Sequence, residues 1–162
     1  MTGVRDGADQ NVGHGTRGST SNTFRTRSAL LIGVVEEILA RELPFVQRGF
    51  TPATADELVD GLASLLEVIT GPGRVATTAR LVLFLEGSHD AQLREALSGG
   101  HHLLIALSTP PLERLGALDP DAAARTLAAV MEGLIVHRIA RHDTADARPV
   151  LATAVRGALA RS

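Results

Sequence analysis

The stretch from Asp119 to His142 constrains the fold more than any other part of the 162-residue chain. It opens with Asp119 as the expected N-cap of a helix and with Pro120 at the first helical position, which are both helix-start signals. Apolar residues recur at helical spacing on one face (Ala124, Leu127, Met131, Leu134, Ile135) and on other faces (Ala123, Val130, Val136, Ala140). A helix that is apolar around most of its circumference must be covered on more than one side. We therefore expect one side to face its own domain and another to face a second subunit.

The rest of the chain also favours helices. Hydrophobic residues make up 44% of the chain and aromatic residues only 2%, which predicts a core of Leu, Val, Ile and Ala. No alternating apolar and polar pattern indicates a strand. The periodicity predicts further helices over Thr26–Pro44, Thr54–Ile69, Arg74–Glu86, Ala91–Leu107 and Ala147–Ala160, with a short turn at Leu112–Leu115. We expect Pro44 and the Pro110-Pro111 pair to stop two of these helices, and we predict an all-α fold.

Several classes of protein are disfavoured by what the chain lacks. Without cysteine it has no disulfide and no cysteine-based metal site. No apolar run reaches the roughly 18 residues of a membrane span, and the polar N-terminus lacks the apolar segment of a signal peptide. We expect a cytoplasmic protein with no membrane contact and no cofactor. Residues 1–18 contain five glycines and no apolar face, and we interpret them as a disordered tail.

The polar motifs lack the residue spacings that an enzyme active site or a metal site requires. His137 and His142 are five residues apart, whereas two ligands on one helix face need a spacing of three or four. Ser88-His89-Asp90 are sequence neighbours with no nucleophile elbow, unlike the members of a catalytic triad. We therefore predict no catalytic residue and no metal ligand, and we expect His101 and His102 to be polar contacts in a pocket or partly exposed.

One segment carries a family signature. Residues 18–31 contain a glycine, small and polar residues, an aromatic (Phe24), then basic and apolar residues, and this run resembles the end of the DNA-reading helix in the tetracycline-repressor (TetR) family. The segments Phe84–Glu86, Asp90–Leu97, Gly116–Pro120 and Met131–Leu134 are similar to that family's ligand-binding and dimerisation half. The resemblance implies that Arg25 and Arg27 contact phosphates and that the base-contacting residues are Ser19, Thr20 and Asn22.

The resemblance implies a homodimeric TetR-like transcriptional regulator whose partners are DNA and a small-molecule effector. Only 17 residues precede Gly18, and they lack the two further helices of the family's helix-turn-helix. We divide the chain into a tail (1–18), a remnant of the reading helix (19–26) and a ligand-binding and dimerisation domain (27–162). Two alternatives stay open: a stand-alone ligand-binding or dimerisation module without DNA-binding activity, and a longer protein whose start codon lies upstream.

Two sets of side chains follow from this hypothesis. The last two long helices of each subunit are expected to pair with those of a partner as a four-helix bundle, through Leu127, Val130, Leu134, Val150, Leu151, Ala154, Val155 and Ala158. Some of these must face the core of the monomer instead, and the pattern does not sort them. The other helices are expected to enclose a pocket for an apolar ligand, lined by Leu62, Leu66, Leu81, Phe84, Leu85, Leu104, Leu107, Met131 and Ile135, with His101 or His102 as polar contacts. A fully packed core in which these residues simply touch remains the alternative.

Overall fold

The protein is described by a computed structural model, which covers the backbone of residues 26–49 and 51–160 and the side chains of residues 26–40 and 51–160. The described chain forms α1 (Arg27–Gly49), α2 (Ala55–Thr70), α3 (Arg74–Gly87), α4 (Ala91–Arg114), α5 (Pro120–Ala140) and α6 (Arg148–Leu159). No strand occurs in this part of the chain, and the all-α prediction is confirmed. None of the described helices is both long and apolar enough to cross a membrane.

Three of the helices begin at a side chain that caps the first turn, and the cap at Asp119 is the one that the sequence predicted. The Oγ1 atom of Thr54 accepts a hydrogen bond from the backbone N–H of Glu57 at 3.1 Å and so caps α2. The carboxylate of Asp90 caps α4, and that of Asp119 accepts from the N–H of Ala122 at 2.9 Å to cap α5. Each cap satisfies an N–H that the first helical turn leaves unpaired.

The prolines do not end the helices in which they occur, and the predictions that rested on them are wrong. The helix α1 continues through Pro44 to Gly49, and α4 continues through Pro110 and Pro111. A proline removes its own N–H donor but leaves the following donors free to continue the helix. The predicted separate turn at Leu112–Leu115 is instead the last turn of α4 and its C-cap.

The actual terminator of α4 is Gly116, whose φ of 86° lies in the left-handed region. Its N–H donates to the carbonyl of Glu113, and the N–H of Ala117 donates to the carbonyl of Leu112. This pair of bonds is the Schellman arrangement, which satisfies carbonyls at a helix C-terminus. Leu112 is buried and anchors the turn in the core.

The described helices enclose two separate apolar clusters. The larger cluster is formed by α2, α5 and α6 together with the C-terminal half of α4. The smaller cluster lies between α1, α3 and the N-terminal half of α4, where it buries Val35, Ile38, Leu83, Leu93 and Leu97. Because α4 contributes buried residues to both clusters, it connects α1 to the larger cluster by side-chain packing.

Candidate dimer face and effector-binding core

The structure sorts the eight predicted dimer residues by where their side chains lie. Leu127, Leu151 and Val155 are buried inside the subunit, in the larger cluster, so they are not exposed to a partner. Four others are partly buried and pack against that cluster, namely Val130, Leu134, Ala154 and Ala158. Val150 is 49% exposed. The periodicity could not separate these groups, because both faces of α5 and α6 are apolar and the positions of α2 and α4 decide which face becomes core.

The exposed side of α5 and α6 carries a groove of about 340 Å³ between the two helices. Its apolar lining comes from both helices and from Ala145 and Ala147 in the connection between them; the helical residues are Val130, Gly133, Leu134 and Val150. A Cβ atom added at Gly133 or Gly157 would meet nothing within 4 Å, so another helix could approach closely there. Val136, on the exposed side of α5, is 40% exposed. We call this surface the α5–α6 face.

The prediction omitted Gly133 and Val136 from the dimer set. The sequence pattern places Val136 with Val130 among the apolar residues on other faces of the helix, and Gly133 lies three residues from each of them. A helix face is defined by such spacings of three and four, so this pattern was the signal that could have found them.

Polar residues form the rim of the groove. Arg138 donates from Nη2 to Oε1 of Glu67 at 2.8 Å and to the carbonyl of Ala145 at 3.0 Å. These two bonds fix the α5–α6 connection against α2. The Nδ1 atom of His137 lies 3.7 Å from Oδ2 of Asp143, across the same connection. An apolar centre with a polar rim is the usual anatomy of a protein–protein interface.

The predicted ligand-lining residues differ in burial. We call the four that are buried, named next, the inner group. Leu62, Leu66, Met131 and Ile135 are buried together in the larger cluster, and Leu81 packs against it. Three more are half-buried on α4, namely His101, Leu104 and Leu107. The assignment of these eight residues to a ligand stays a prediction.

Phe84, Leu85 and His102 lie outside this group. Leu85 is 74% exposed, and Phe84 and His102 are also exposed. The reason is geometric, because the five consecutive apolar residues from Leu81 to Leu85 turn through more than a full circle of a 3.6-residue helix. They cannot all point inward, and in this run only Leu83 is buried, in the smaller cluster.

The histidines make contacts between helices. The Nδ1 atom of His101 on α4 lies 3.7 Å from Oε1 of Glu132 on α5, and both side chains are partly exposed. The rings of His101 and His102 are 6.3 Å apart. Within the described residues, no three His, Asp or Glu side chains are grouped so that they could hold a metal ion.

Of the predicted DNA-contacting residues, only Arg27 lies in the described part of the chain; Ser19, Thr20, Asn22 and Arg25 lie outside it. The Nη2 atom of Arg27 donates to Oε2 of Glu86 at 2.9 Å, so the guanidinium at the start of α1 is held at the end of α3. The two residues are 59 positions apart in the sequence, and no local pattern predicts that they pair.

A second bond joins the same two regions. The hydroxyl of Ser28 donates to Oδ2 of Asp90, while Oδ1 of Asp90 accepts from the N–H groups of Gln92 and Leu93. The Ser28 bond and then the backbone N–H bonds lower the pKa of the Asp90 carboxyl below its ordinary value of 3.8, because hydrogen bonds to a carboxylate favour its charged form. One carboxylate therefore connects the start of α1 to the start of α4.

Comparison with known proteins gives one match. A family model described as "Tetracyclin repressor-like, C-terminal domain" matches residues 53–161, which is more than half of the chain. It covers α2 to α6, including the larger cluster and the α5–α6 face. No curated protein matches the chain, and no solved structure matches it.

Proposed function

This chain belongs to the tetracyclin repressor-like family, and on that premise we propose that it is a homodimeric transcriptional regulator that responds to a small apolar effector. Residues 53–161 form the C-terminal domain characteristic of such regulators. In the proposal, α5 and α6 pair with the same helices of a second subunit, and the helices α2 to α5 receive the effector. The protein acts by binding rather than by catalysis.

The observation that carries the proposal is the α5–α6 face. Val136 and Val150 expose apolar side chains there, beside an apolar groove and two glycines with open space above them. A two-fold dimer brings the same face of each subunit together, so one apolar helix pair covers the other. Four helices paired in this way make the bundle that family membership suggests.

A charge placed on this face tests the dimer. We expect Val150→Glu to give a monomer in light scattering, because an unpaired carboxylate buried in an apolar interface is strongly unfavourable. Val75→Glu is the matched control, since Val75 on α3 is 85% exposed and lies outside the α5–α6 face. A dimer that survives Val150→Glu, or one that Val75→Glu disrupts equally, would contradict this assignment.

The effector part of the proposal rests on the chemistry of the inner group. Leu62, Leu66, Met131 and Ile135 supply only apolar surface, and the flexible methionine side chain can adapt to different contents. His101, which is half-buried and paired with Glu132, is the proposed polar contact, since His102 is exposed. We therefore propose an apolar or weakly polar effector rather than an anion.

Thermal-shift screening tests the effector class. A compound that binds only the folded protein raises its melting temperature. We expect hydrophobic small molecules to raise it and Met131→Ala to reduce that rise. Stabilisation by strongly anionic compounds alone would contradict the proposed pocket.

The DNA-binding part is tested separately, because it concerns residues outside the family match. A gel-shift series with the DNA upstream of the gene, at increasing salt, should show binding that weakens as salt rises if Arg25 or Arg27 contacts phosphates. Absence of any salt-dependent binding would instead favour the alternative, a ligand-binding or dimerisation module that does not bind DNA. The match over the C-terminal domain is compatible with both.

A further inference from the structure

We propose that an exposed apolar stripe on α3 is a second self-association surface, on which two copies of this chain join by antiparallel pairing of α3 with α3. The stripe consists of Val75, Thr78, Val82 and Leu85, and we call it the α3 stripe. The contact itself needs only two copies of the chain. Its consequence, the joining of two dimers into a tetramer, rests on the dimer of the proposed function.

The α3 stripe exposes large aliphatic side chains along one side of its helix. Val75 is 85% exposed, Leu85 is 74% exposed and Val82 is 53% exposed. On the other side of the helix, Thr77 and Gly87 are buried against the rest of the subunit. Single exposed apolar residues are ordinary, whereas several in one contiguous patch mark an interaction site.

The spacing of the α3 stripe fits a second copy of the same helix. Its four residues follow one another at intervals of three, four and three positions, which is the spacing of a coiled-coil seam. These intervals read the same in both directions. Two antiparallel copies related by a two-fold axis therefore place Val75 against Leu85 of the second copy, and Thr78 against Val82 of the second copy. Every residue of the stripe then has an opposite number.

The single polar residue of the stripe can be covered without loss. The hydroxyl of Thr78 donates to the carbonyl of Arg74 in its own helix at 2.8 Å. A polar group that is buried without a partner is unfavourable, but this donor already has one. The methyl group of Thr78 remains available for the apolar contact.

The charges at the two ends of the stripe favour the antiparallel arrangement. Arg74 stands at the N-terminal end of α3 and Glu86 at its C-terminal end. Parallel pairing would bring like charges together, whereas antiparallel pairing brings the Arg74 end of one copy to the Glu86 end of the other. Within the subunit, Arg74 donates to the carbonyl of Ile139 at 3.1 Å and Glu86 accepts from Arg27. Pairing of the stripes therefore leaves neither charge without a partner.

The size of the stripe limits the strength of the contact. A helix of 14 residues is about 21 Å long and about 10 Å wide, so its exposed side covers far less than the roughly 800 Å² per partner of a stable interface. The stripe is therefore expected to join subunits that are already dimeric. Each dimer carries two stripes, and two contacts made together strengthen each other. We expect dimers at micromolar concentration and tetramers as the concentration approaches the millimolar range.

Sedimentation equilibrium over this concentration range measures the assembly. The molar mass of the unmodified protein should rise from twice to four times the 17.0 kDa of one chain. We expect Val82→Glu to stay at twice that mass, because it places an unpaired carboxylate in the apolar seam. Leu118→Glu is the matched control, since Leu118 is 65% exposed and lies outside α3, and it should still form the tetramer.

Disulfide formation tests the antiparallel register. The chain contains no cysteine, so an introduced cysteine has no other partner within it. A mixture of Thr78→Cys and Val82→Cys should give a covalent pair of chains on a non-reducing denaturing gel faster than either variant alone. The reason is that only the mixed pair brings two cysteines to the short Cα separation that a disulfide requires. The same mixture with Val150→Glu in both chains keeps this test apart from the α5–α6 face.

The proposal is overturned if the mass does not double as the concentration rises, or if Leu118→Glu prevents the doubling as Val82→Glu does. It is also overturned if the mixed cysteine variants cross-link no faster than each variant alone. Resistance of Val82→Cys to alkylation at micromolar concentration would show that another part of the same chain covers the stripe, which equally contradicts the proposal. Mixed cross-links in a protein that is otherwise monomeric would support the α3 stripe and count only against the α5–α6 dimer.

Discussion

At the scale of single residues, side-chain bonds between distant parts of the chain hold α3 in place. Thr77 is 1% exposed, and its hydroxyl donates to the carbonyl of Ile69 at 2.6 Å, which joins the start of α3 to the end of α2. Thr78, the next residue, donates to the carbonyl of Arg74 within its own helix and is exposed. Substituting each threonine in turn therefore compares the stability contributed by a bond between helices with that of a bond within one helix.

We expect Thr77→Val to lower the free energy of unfolding by about 1–3 kcal/mol, because it keeps the shape of the buried side chain but leaves the partly buried carbonyl of Ile69 without its donor. The matched control Thr78→Val should change it by less than about 0.5 kcal/mol, as is usual for surface positions. Urea denaturation of the two variants measures the difference. Equal losses would show that the bond between helices contributes nothing of its own.

The lowered pKa of Asp90 predicts how the Ser28 bond depends on pH. A carboxyl whose pKa is lower in the folded state stabilises that state above the ordinary value of 3.8, and this contribution disappears as pH falls through the folded-state pKa. We expect Ser28→Ala to destabilise the protein near neutral pH and to match the unmodified protein well below pH 3.8. Denaturation series at both pH values check this, and a difference that persists in acid would contradict it.

At the scale of helices, the sequence predicts features set by neighbouring residues, and it does not predict contacts between residues that are far apart in the chain. The caps Thr54, Asp90 and Asp119 were predictable, since each acts on N–H groups two or three residues away. The predicted stops at Pro44, Pro110 and Pro111 were wrong. An interior proline costs a helix about 3 kcal/mol, and in α4 the burial of Leu112 beyond the proline pair offsets part of that cost. Leu151 is fully buried and its sequence neighbour Val150 is 49% exposed, and the packing of α2 and α5 against α6 decides this difference. The bonds of Arg27, Ser28 and Arg74 span 59 to 68 residues, and no local pattern announces them.

The end of α4 gives a prediction at this scale. Gly116→Ala should cost about 1–2 kcal/mol of stability, because a side chain at a φ of 86° meets the following carbonyl. Gly99→Ala, in the middle of the same helix, meets nothing within 4 Å and should instead stabilise the protein by about 0.4–1 kcal/mol. Melting temperatures that shift in opposite directions would support Gly116 as the helix terminator, and a stabilising Gly116→Ala would contradict it.

At the scale of the whole molecule, α5 and α6 each have a buried side and an exposed apolar side. The inner sides of α5 and α6 complete the larger cluster of the subunit, and their outer sides form the α5–α6 face. This division explains how α5 can be apolar around most of its circumference while only one of its sides is buried in the subunit. It also explains why Leu127, Leu151 and Val155 could not be assigned to core or interface from periodicity.

The two sides of α6 predict different effects for substitutions at the neighbouring residues Leu151 and Val150. Leu151→Ala should lower the stability of the fold by about 2–5 kcal/mol, because the side chain is fully buried, at 0% exposure. Val150→Ala should leave the stability of the isolated subunit nearly unchanged while it weakens dimerisation. Denaturation at low protein concentration measures the first effect, and sedimentation over a dilution series measures the second. A large stability loss in Val150→Ala alone would place that residue in the core instead.

The molar mass of the unmodified protein in solution tests the central claim most directly. Light scattering at micromolar concentration should give twice the 17.0 kDa of one chain, because in the proposed dimer a second subunit covers the α5–α6 face. A mass of 17.0 kDa that stays constant as the concentration rises would contradict the account, since it would leave the α5–α6 face exposed in the working protein.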